Sequence, residues 1–188
     1  MVGHFDEARD VYFVESGSAQ VSLLSRDGKE AIFREIGEGE LFGELAALDG
    51  SPRSASVVAS SDMLLHKISA EQFEAWISAN GSAGLWLSRL LVTRIRDMTE
   101  RSFELATMNV TRRVHLEILR LAEQEGASGD TVTIAKFPTH AEFAARIGTH
   151  REAISRELGW LRSASIIETE GRKLTLLDAA KLQQLAGG

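Results

Sequence analysis

The sequence predicts an α+β chain: an antiparallel β-roll, then one long helix, then a smaller helical unit that closes with a β-hairpin. Three observations carry this. Residues 11–68 alternate short β-prone runs with turn signals. Residues 83–108 hold apolar residues at helical spacing with no Gly or Pro to break them beyond Gly84. Residues 138–162 read as two short helices joined at Gly148, followed by a β-like tail.

The strand runs are VYFV (11–14), AQVSLL (19–24), EAIFREI (30–36), SASVVA (54–59) and MLLHKI (63–68). Ser16-Gly17, Asp27-Gly28, Gly37, Gly39 and Ser51-Pro52 separate them. Asp27-Gly28 predicts a tight hairpin. A helix follows over 69–79, with Ser69 as N-cap and Gln72 completing a capping box. On the long helix, Ser88, Leu91, Ile95, Met98, Ser102 and Leu105 step in threes and fours. Leu87, Leu90 and Phe103 add a second apolar face. One helix seldom buries two faces within so small a domain, so the seam predicts a homodimer. Asn109-Val110 reads as a hinge, and TRRVHLEILRLAEQEG (111–126) as an amphipathic helix ended by Gly126. The run ASGDTVTIAKFP holds one short strand, and Gly187-Gly188 reads as a frayed end. The expected divisions are 1–81, 82–109 and 110–188.

Composition narrows the function. Of 188 residues, 44% are hydrophobic, enough for a real core. The absence of cysteine excludes disulfides, zinc-thiolate sites and thiol nucleophiles, and fits a cytoplasmic location. No apolar run reaches the roughly 18 residues of a membrane span, so no membrane partner is expected. The net charge of −6 is uneven. Residues 1–109 carry 10 basic and 17 acidic side chains, and residues 110–188 carry 11 and 10. A near-neutral C-terminal part can still present a basic face to nucleic acid. The five histidines show no metal-ligand spacing, and no nucleophile lies beside a base, so neither a metal site nor an enzyme is expected. Trp76, Trp86 and Trp160 read as core anchors, and Glu15, Glu38 and Glu40 as a solvated face.

Residues 42–57, FGELAALDGSPRSASV, hold the first chemistry. A short helix beginning at Gly43 offers unpaired amides that attract an anion. Gly43 lets a ligand approach the backbone. Arg53, set by Pro52, can pair with a phosphate through two parallel bonds, and Ser54 offers a hydroxyl. Glu44 would repel an anion unless it faces a sugar hydroxyl. Ala46, Ala47 and Ala55 leave room for a ring. Phosphate, ribose and base together mean a nucleotide, and a lone Arg suits a singly charged phosphodiester. GEGELFG (37–43) misses the dinucleotide fingerprint, because Phe42 stands where the third Gly belongs.

PTHAEFAARIGTHREAISRELGWLR (138–162) holds the second. Setting Arg151 at zero and turning about 100° per residue, Glu152, Ser155 and Arg156 share its side of the helix, while Ile154 and Leu161 fall opposite. Arg can grip guanine and Glu the cytosine amino group in a major groove. Thr139, His150 and Ser155 could bind phosphates.

The stretch FGELAALDGSPRSASV resembles the phosphate-binding cassette of cyclic-nucleotide-binding domains, and VYFVESGSAQVSLLSRDGKEAIFREIGEGELFGE resembles the strands leading into it. The run Arg151-Glu152-Ala153-Ile154-Ser155-Arg156 resembles the recognition helix of the Crp–Fnr regulators, and IIETEGRKLTLLD their wing. The resemblance covers residues 11–182. It implies a sensory roll, a dimer helix and a winged helix-turn-helix. It implies an effector, cAMP first, held at Gly43, Glu44, Leu45, Ala46, Arg53, Ser54 and Ala55. It also implies a base contact from the long helix at Met98 and Thr99, where the family's cAMP-responsive members carry paired hydroxyls. Met98 departs from that pattern. On the DNA side it implies Thr139, His150, Arg151, Glu152, Ser155 and Arg156, palindromic TGTGA-type half-sites, and RNA polymerase as a partner. Seating the long helix would rotate the DNA-binding units about Asn109-Val110 until their recognition helices stand roughly 34 Å apart. The family's first roll strands are missing or replaced by MVGHFDEA, so either an incomplete roll or a shortened N-terminus is expected. A regulator that ignores cyclic nucleotides or senses another ligand stays open, as does a nucleotide module acting on an enzyme.

Overall fold

The computed structural model describes residues 2–126 and 131–187. The chain divides into two units, Met1–Thr99 and Glu100–Gly188.

The first unit is the roll. Its elements are β1 (Val11–Ser16), β2 (Ala19–Leu24), β3 (Glu30–Ile36), β4 (Leu41–Phe42), α1 (Glu44–Asp49), β5 (Ser56–Ala59), β6 (Leu64–Ile68) and α2 (Ala70–Ala79). The long helix α3 (Gly81–Thr107) begins in this unit. Two three-stranded antiparallel sheets, ordered β4-β1-β6 and β3-β2-β5, form the body. Val14, Ile36 and Phe42 are buried with Val21, Val57 and Leu65 packed on them. A second cluster, Val11, Leu41, Ala47, Phe73 and Leu87, seats α2 and α3 on the roll. The segment before β1 adds to the pairing: Val2 bridges Val57, and the Phe5 and Arg53 amides bond to Arg53 O and Asp6 O at 3.1 and 2.9 Å.

The hairpin at Asp27-Gly28 is longer than a two-residue turn. Leu24 pairs with Glu30, leaving 25–29 as the loop. Ser25 closes it, its hydroxyl donating to Lys29 O while its amide does the same at 2.8 Å. Ser69 and Gln72 form the complete capping box of α2. Trp76 and Trp86 are not core anchors. They meet edge to face at 6.2 Å, and each is 41% exposed. Trp160 on the second unit is 48% exposed. A Trp can cover apolar surface with one edge and meet water with the other. Along α3, Leu87 is buried and Leu90 and Leu91 pack on the roll, whereas Val92, Ile95 and Met98 stay exposed.

The second unit holds the end of α3, α4 (Val110–Gln124), β7 (Val132–Ile134), α5 (His140–Ile147), α6 (Arg151–Ser163), β8 (Ile167–Glu170), β9 (Lys173–Leu176) and α7 (Ala179–Gly187). The sheet order is β7-β9-β8, with β8–β9 as the expected hairpin. The core gathers Val114, Ile118, Phe143, Ile154, Leu158, Leu161, Leu174 and Leu182. Helix α7 was not expected. Leu182 and Ala186 are buried on it, Leu185 packs against the core, and Asp178 accepts the Lys181 amide at its start. At Asn109 the chain bends, and this joint is capped: the Asn109 side chain accepts from the Arg112 amide at 2.9 Å.

Candidate functional site

In the roll, Gly43 is the N-cap of α1 in the left-handed region, φ 89°. The first-turn amides of α1 lack intrahelical partners by position, and Gly43 brings no side chain to cap them. Arg53 folds back beneath it. Arg53 is 4% exposed, and its guanidinium donates through Nη1 to Gly43 O at 2.9 Å and through Nη2 to Asp10 O at 2.6 Å. Its Nε is buried with no partner among the described residues.

Glu44 is equally buried, and its partner is a cation rather than solvent. Arg94 of α3 donates Nη1 to Glu44 Oε1 at 2.5 Å and Nη2 to Leu41 O at 2.8 Å. Arg94 Nε is also buried and unpartnered. Reasoning from sequence passed over Arg94. The signal was available: Leu87, Leu90, Leu91 and Arg94 lie on one side of the helix at i, i+3, i+4, i+7, and a lone cation ends an apolar stripe.

The stretch Leu41–Glu44 is thus held by two guanidiniums and contains one carboxylate. Asp10's carboxylate bonds Lys67 at 3.0 Å, so it does not neutralise Arg53. The local charge sums to about +1, and two guanidinium N–H groups lack an acceptor. An unmet buried donor costs about 1–3 kcal/mol. A singly charged phosphate that met these donors would remove that cost.

The remaining expected residues are placed as follows. Leu45 is 45% exposed and Ala46 is buried. Ser54 is exposed and Ala55 half-buried on the same loop as Arg53. Thr99 is exposed, with its hydroxyl donating to Ile95 O one turn back at 2.8 Å. Met98 is 62% exposed. On α3, the side chain that bonds the cassette is Arg94, one turn before Met98.

Gly43 tolerates no side chain. A Cβ there would lie 2.6 Å from both Arg53 Nη1 and Asp10 O. Gly43→Ala should displace Arg53 and destabilise the roll by about 2 kcal/mol or more. Thermal unfolding checks this; an unchanged midpoint would contradict the packing described.

In the second unit, Gly148 (φ 65°) is the C-cap of α5 and opens the turn to α6. Ala153, Ile154, Leu158 and Leu161 are buried, while Arg151, Glu152, Ser155 and Arg156 are exposed together on the other side. His150 is the exposed N-cap of α6 and makes no side-chain cap bond. Thr139 caps α5 in a reciprocal box: its side-chain oxygen accepts the Glu142 amide at 3.3 Å, and its own amide donates to Glu142 Oε2 at 2.7 Å. Burial pushes the Glu142 carboxyl up, but bonds from Thr139, with Arg172 and Arg146 nearby, hold it below its ordinary value on balance. Ser155 donates to Arg151 O and lies 2.7 Å from His140 Nδ1.

One more pair sets this helix. His115 of α4 is 1% exposed, and its Nε2 lies 2.8 Å from Glu157 Oε1 on α6. Thr111 donates to the other oxygen at 3.3 Å. His115→Ala leaves the carboxylate with Thr111 alone and should destabilise the second unit by about 3 kcal/mol in urea unfolding. Glu152→Ala, at an exposed position of the same helix, should shift stability by under about 0.5 kcal/mol. Equal effects would contradict this.

Residues 3–80 match the family described as Cyclic nucleotide-binding domain, and residues 104–185 match Crp-like helix-turn-helix domain. The cAMP-activated global transcriptional regulator CRP of Haemophilus influenzae is 28% identical over 175 residues, 93% of this chain and 78% of that protein. The catabolite activator protein of Thermus thermophilus is 30% identical, covering 100% of this chain and 85% of that one, with a TM-score of 0.52. The c-di-GMP-responsive global regulator of Xanthomonas campestris shares the fold at a TM-score of 0.82, with 23% identity over 94% of this chain and 88% of that one. The roll with its cyclic nucleotide-binding domain and the helix-turn-helix beyond it place the chain in the Crp–Fnr family of DNA-binding transcription regulators, which are not enzymes.

Proposed function

We propose that this regulator is controlled by cAMP, bound at the cassette of Gly43, Glu44, Leu45, Ala46, Arg53, Ser54 and Ala55. The observation that carries the reading is the pair of buried, unpartnered guanidinium N–H groups of Arg53 and Arg94 beside a single buried carboxylate. That arrangement suits one phosphodiester charge. A cyclic dinucleotide carries two. Glu44, now on Arg94, would accept from the ribose hydroxyl, and Thr99 would contact the base.

Ligand binding acts on DNA only by favouring one arrangement of the chain over another. The uncovered side of α3, at Val92, Ile95 and Met98, would join two copies. Their recognition helices would then stand roughly 34 Å apart on a palindrome. Arg151 and Arg156 would read guanines and Glu152 a cytosine in TGTGA-type half-sites, with Thr139, His150 and Ser155 on phosphates. RNA polymerase is the expected further partner. No helix among the described residues is long and apolar enough to cross a membrane, and we place the protein in the cytoplasm.

A second reading, in which another ligand or none controls the chain, is favoured by Met98 and by the Thr99 hydroxyl already bonded to Ile95 O. Calorimetric titration with cAMP, cGMP and c-di-GMP separates the two. Heat with cAMP alone supports the first, and heat with none of them or only another supports the second.

A further inference from the structure

At the joint between α3 and α4, Arg113 belongs neither to the effector cassette nor to the DNA-facing side of α6. It lies in the first turn of α4 and is 8% exposed. Its guanidinium donates in three directions: Nε to Ile147 O at 3.0 Å, Nη1 to Met108 O at 2.7 Å and Nη2 to Gly148 O at 3.4 Å. Met108 directly follows α3. Ile147 ends α5, and Gly148 opens the turn to the recognition helix. These are helix-end carbonyls, which have no intrahelical donor and carry partial negative charge. One planar cation with a fixed fork of donors satisfies all three, which a lysine ammonium of different reach and geometry does not reproduce.

Other contacts converge on the same turn from α3. A Cβ at Gly148 would lie 2.8 Å from Leu105 Cδ2, so that side chain rests on the turn. Arg101 Nη1 donates to Arg146 O at 3.4 Å. Glu104, 6% exposed, is held by both terminal nitrogens of Arg120 on α4. Arg120 also lies 3.6 Å from Glu117 and from Glu100. The last two turns of α3 are therefore bonded to α4 and to the α5–α6 turn, in keeping with the division of the chain at Thr99 and Glu100.

We propose that Arg113 is a positioning residue for DNA recognition: it ties the end of α3 to the Ile147–Gly148 turn, so that displacement of the long helix is handed to the recognition helix. The proposal rests on the reading of α6 as the DNA-contacting helix. It does not depend on which effector moves α3.

The test uses the full chain with Arg113→Lys, Arg113→Gln and Leu105→Ala. Amide hydrogen exchange is followed at Thr149, whose N–H bonds to Ala144 O, and at Ile118 in the α4 core. Losing the tether should speed exchange at Thr149 about tenfold or more while Ile118 keeps its wild-type rate. In parallel, binding is compared between a duplex with two TGTGA half-sites and a scrambled duplex of equal length, each with and without cAMP. The preference for the first duplex should fall about tenfold in the variants, with an unchanged salt slope because phosphate contacts remain. Exchange rising equally at Thr149 and Ile118, or unchanged at Thr149, overturns the proposal. Should Arg113→Gln not fold, Arg113→Lys and Leu105→Ala carry the test. A wild-type chain that cannot tell the two duplexes apart counts against the half-site reading, and the exchange result still decides for or against Arg113.

Discussion

Arg53→Gln should lower cAMP affinity by about 100-fold or more, the loss expected when charge-assisted bonds worth about 1.5–3 kcal/mol each are removed. The same substitution removes the donor that two half-buried residues share at their carbonyls, Gly43 O and Asp10 O. The roll should therefore lose about 2 kcal/mol of stability as well. Calorimetry and thermal unfolding, run on the same protein, separate the two effects. Arg53→Lys keeps the charge without the fork and should fall between, about tenfold weaker in affinity. Wild-type affinity in folded Arg53→Gln would remove Arg53 from the binding site.

On the DNA side, Arg151→Ala should weaken binding to a TGTGA palindrome by about 10- to 100-fold, the range of one bidentate base contact. Binding to a scrambled duplex should hardly change, because a base-reading arginine contributes little to the phosphate term. The side chain is exposed, so stability should stay within about 0.5 kcal/mol of wild type. Parallel losses on both duplexes would recast Arg151 as a phosphate contact. A loss on neither would take it off the interface.

Local patterns in the chain foretold much of this. Ser69 with Gln72 marked the start of α2, Gly148 the turn before α6, and strict apolar spacing the buried side of α6. Each of these features is decided within about ten residues, where capping and periodicity act. What the sequence concealed depends on distant partners. Glu44 and Arg94 lie 50 positions apart, and Arg113 and Gly148 lie 35 apart. No local spacing announces such pairs. Helix α7 follows strand-like residues and has only two buried side chains, Leu182 and Ala186, so its periodic signal is short. The tryptophans show the limit of size as a guide. Their burial is set by where the sheet and helices end, and all three sit at edges with one side in water.

The fold also explains why cassette and long helix belong together. Arg94 bonds Glu44 and the Leu41 carbonyl, so a ligand bound at the cassette would compete with, or add to, bonds that hold α3. Any effector that engages Arg94 or Glu44 thereby acts on the helix that continues to the DNA-binding unit.

Operator affinity measured on one preparation, without cAMP and at saturating cAMP, tests this most directly. The account predicts at least about tenfold tighter binding with cAMP, a coupling of about 1.4 kcal/mol, and no response in Arg53→Gln. Equal affinities in the wild-type chain, with cAMP shown by calorimetry to be bound, would contradict it.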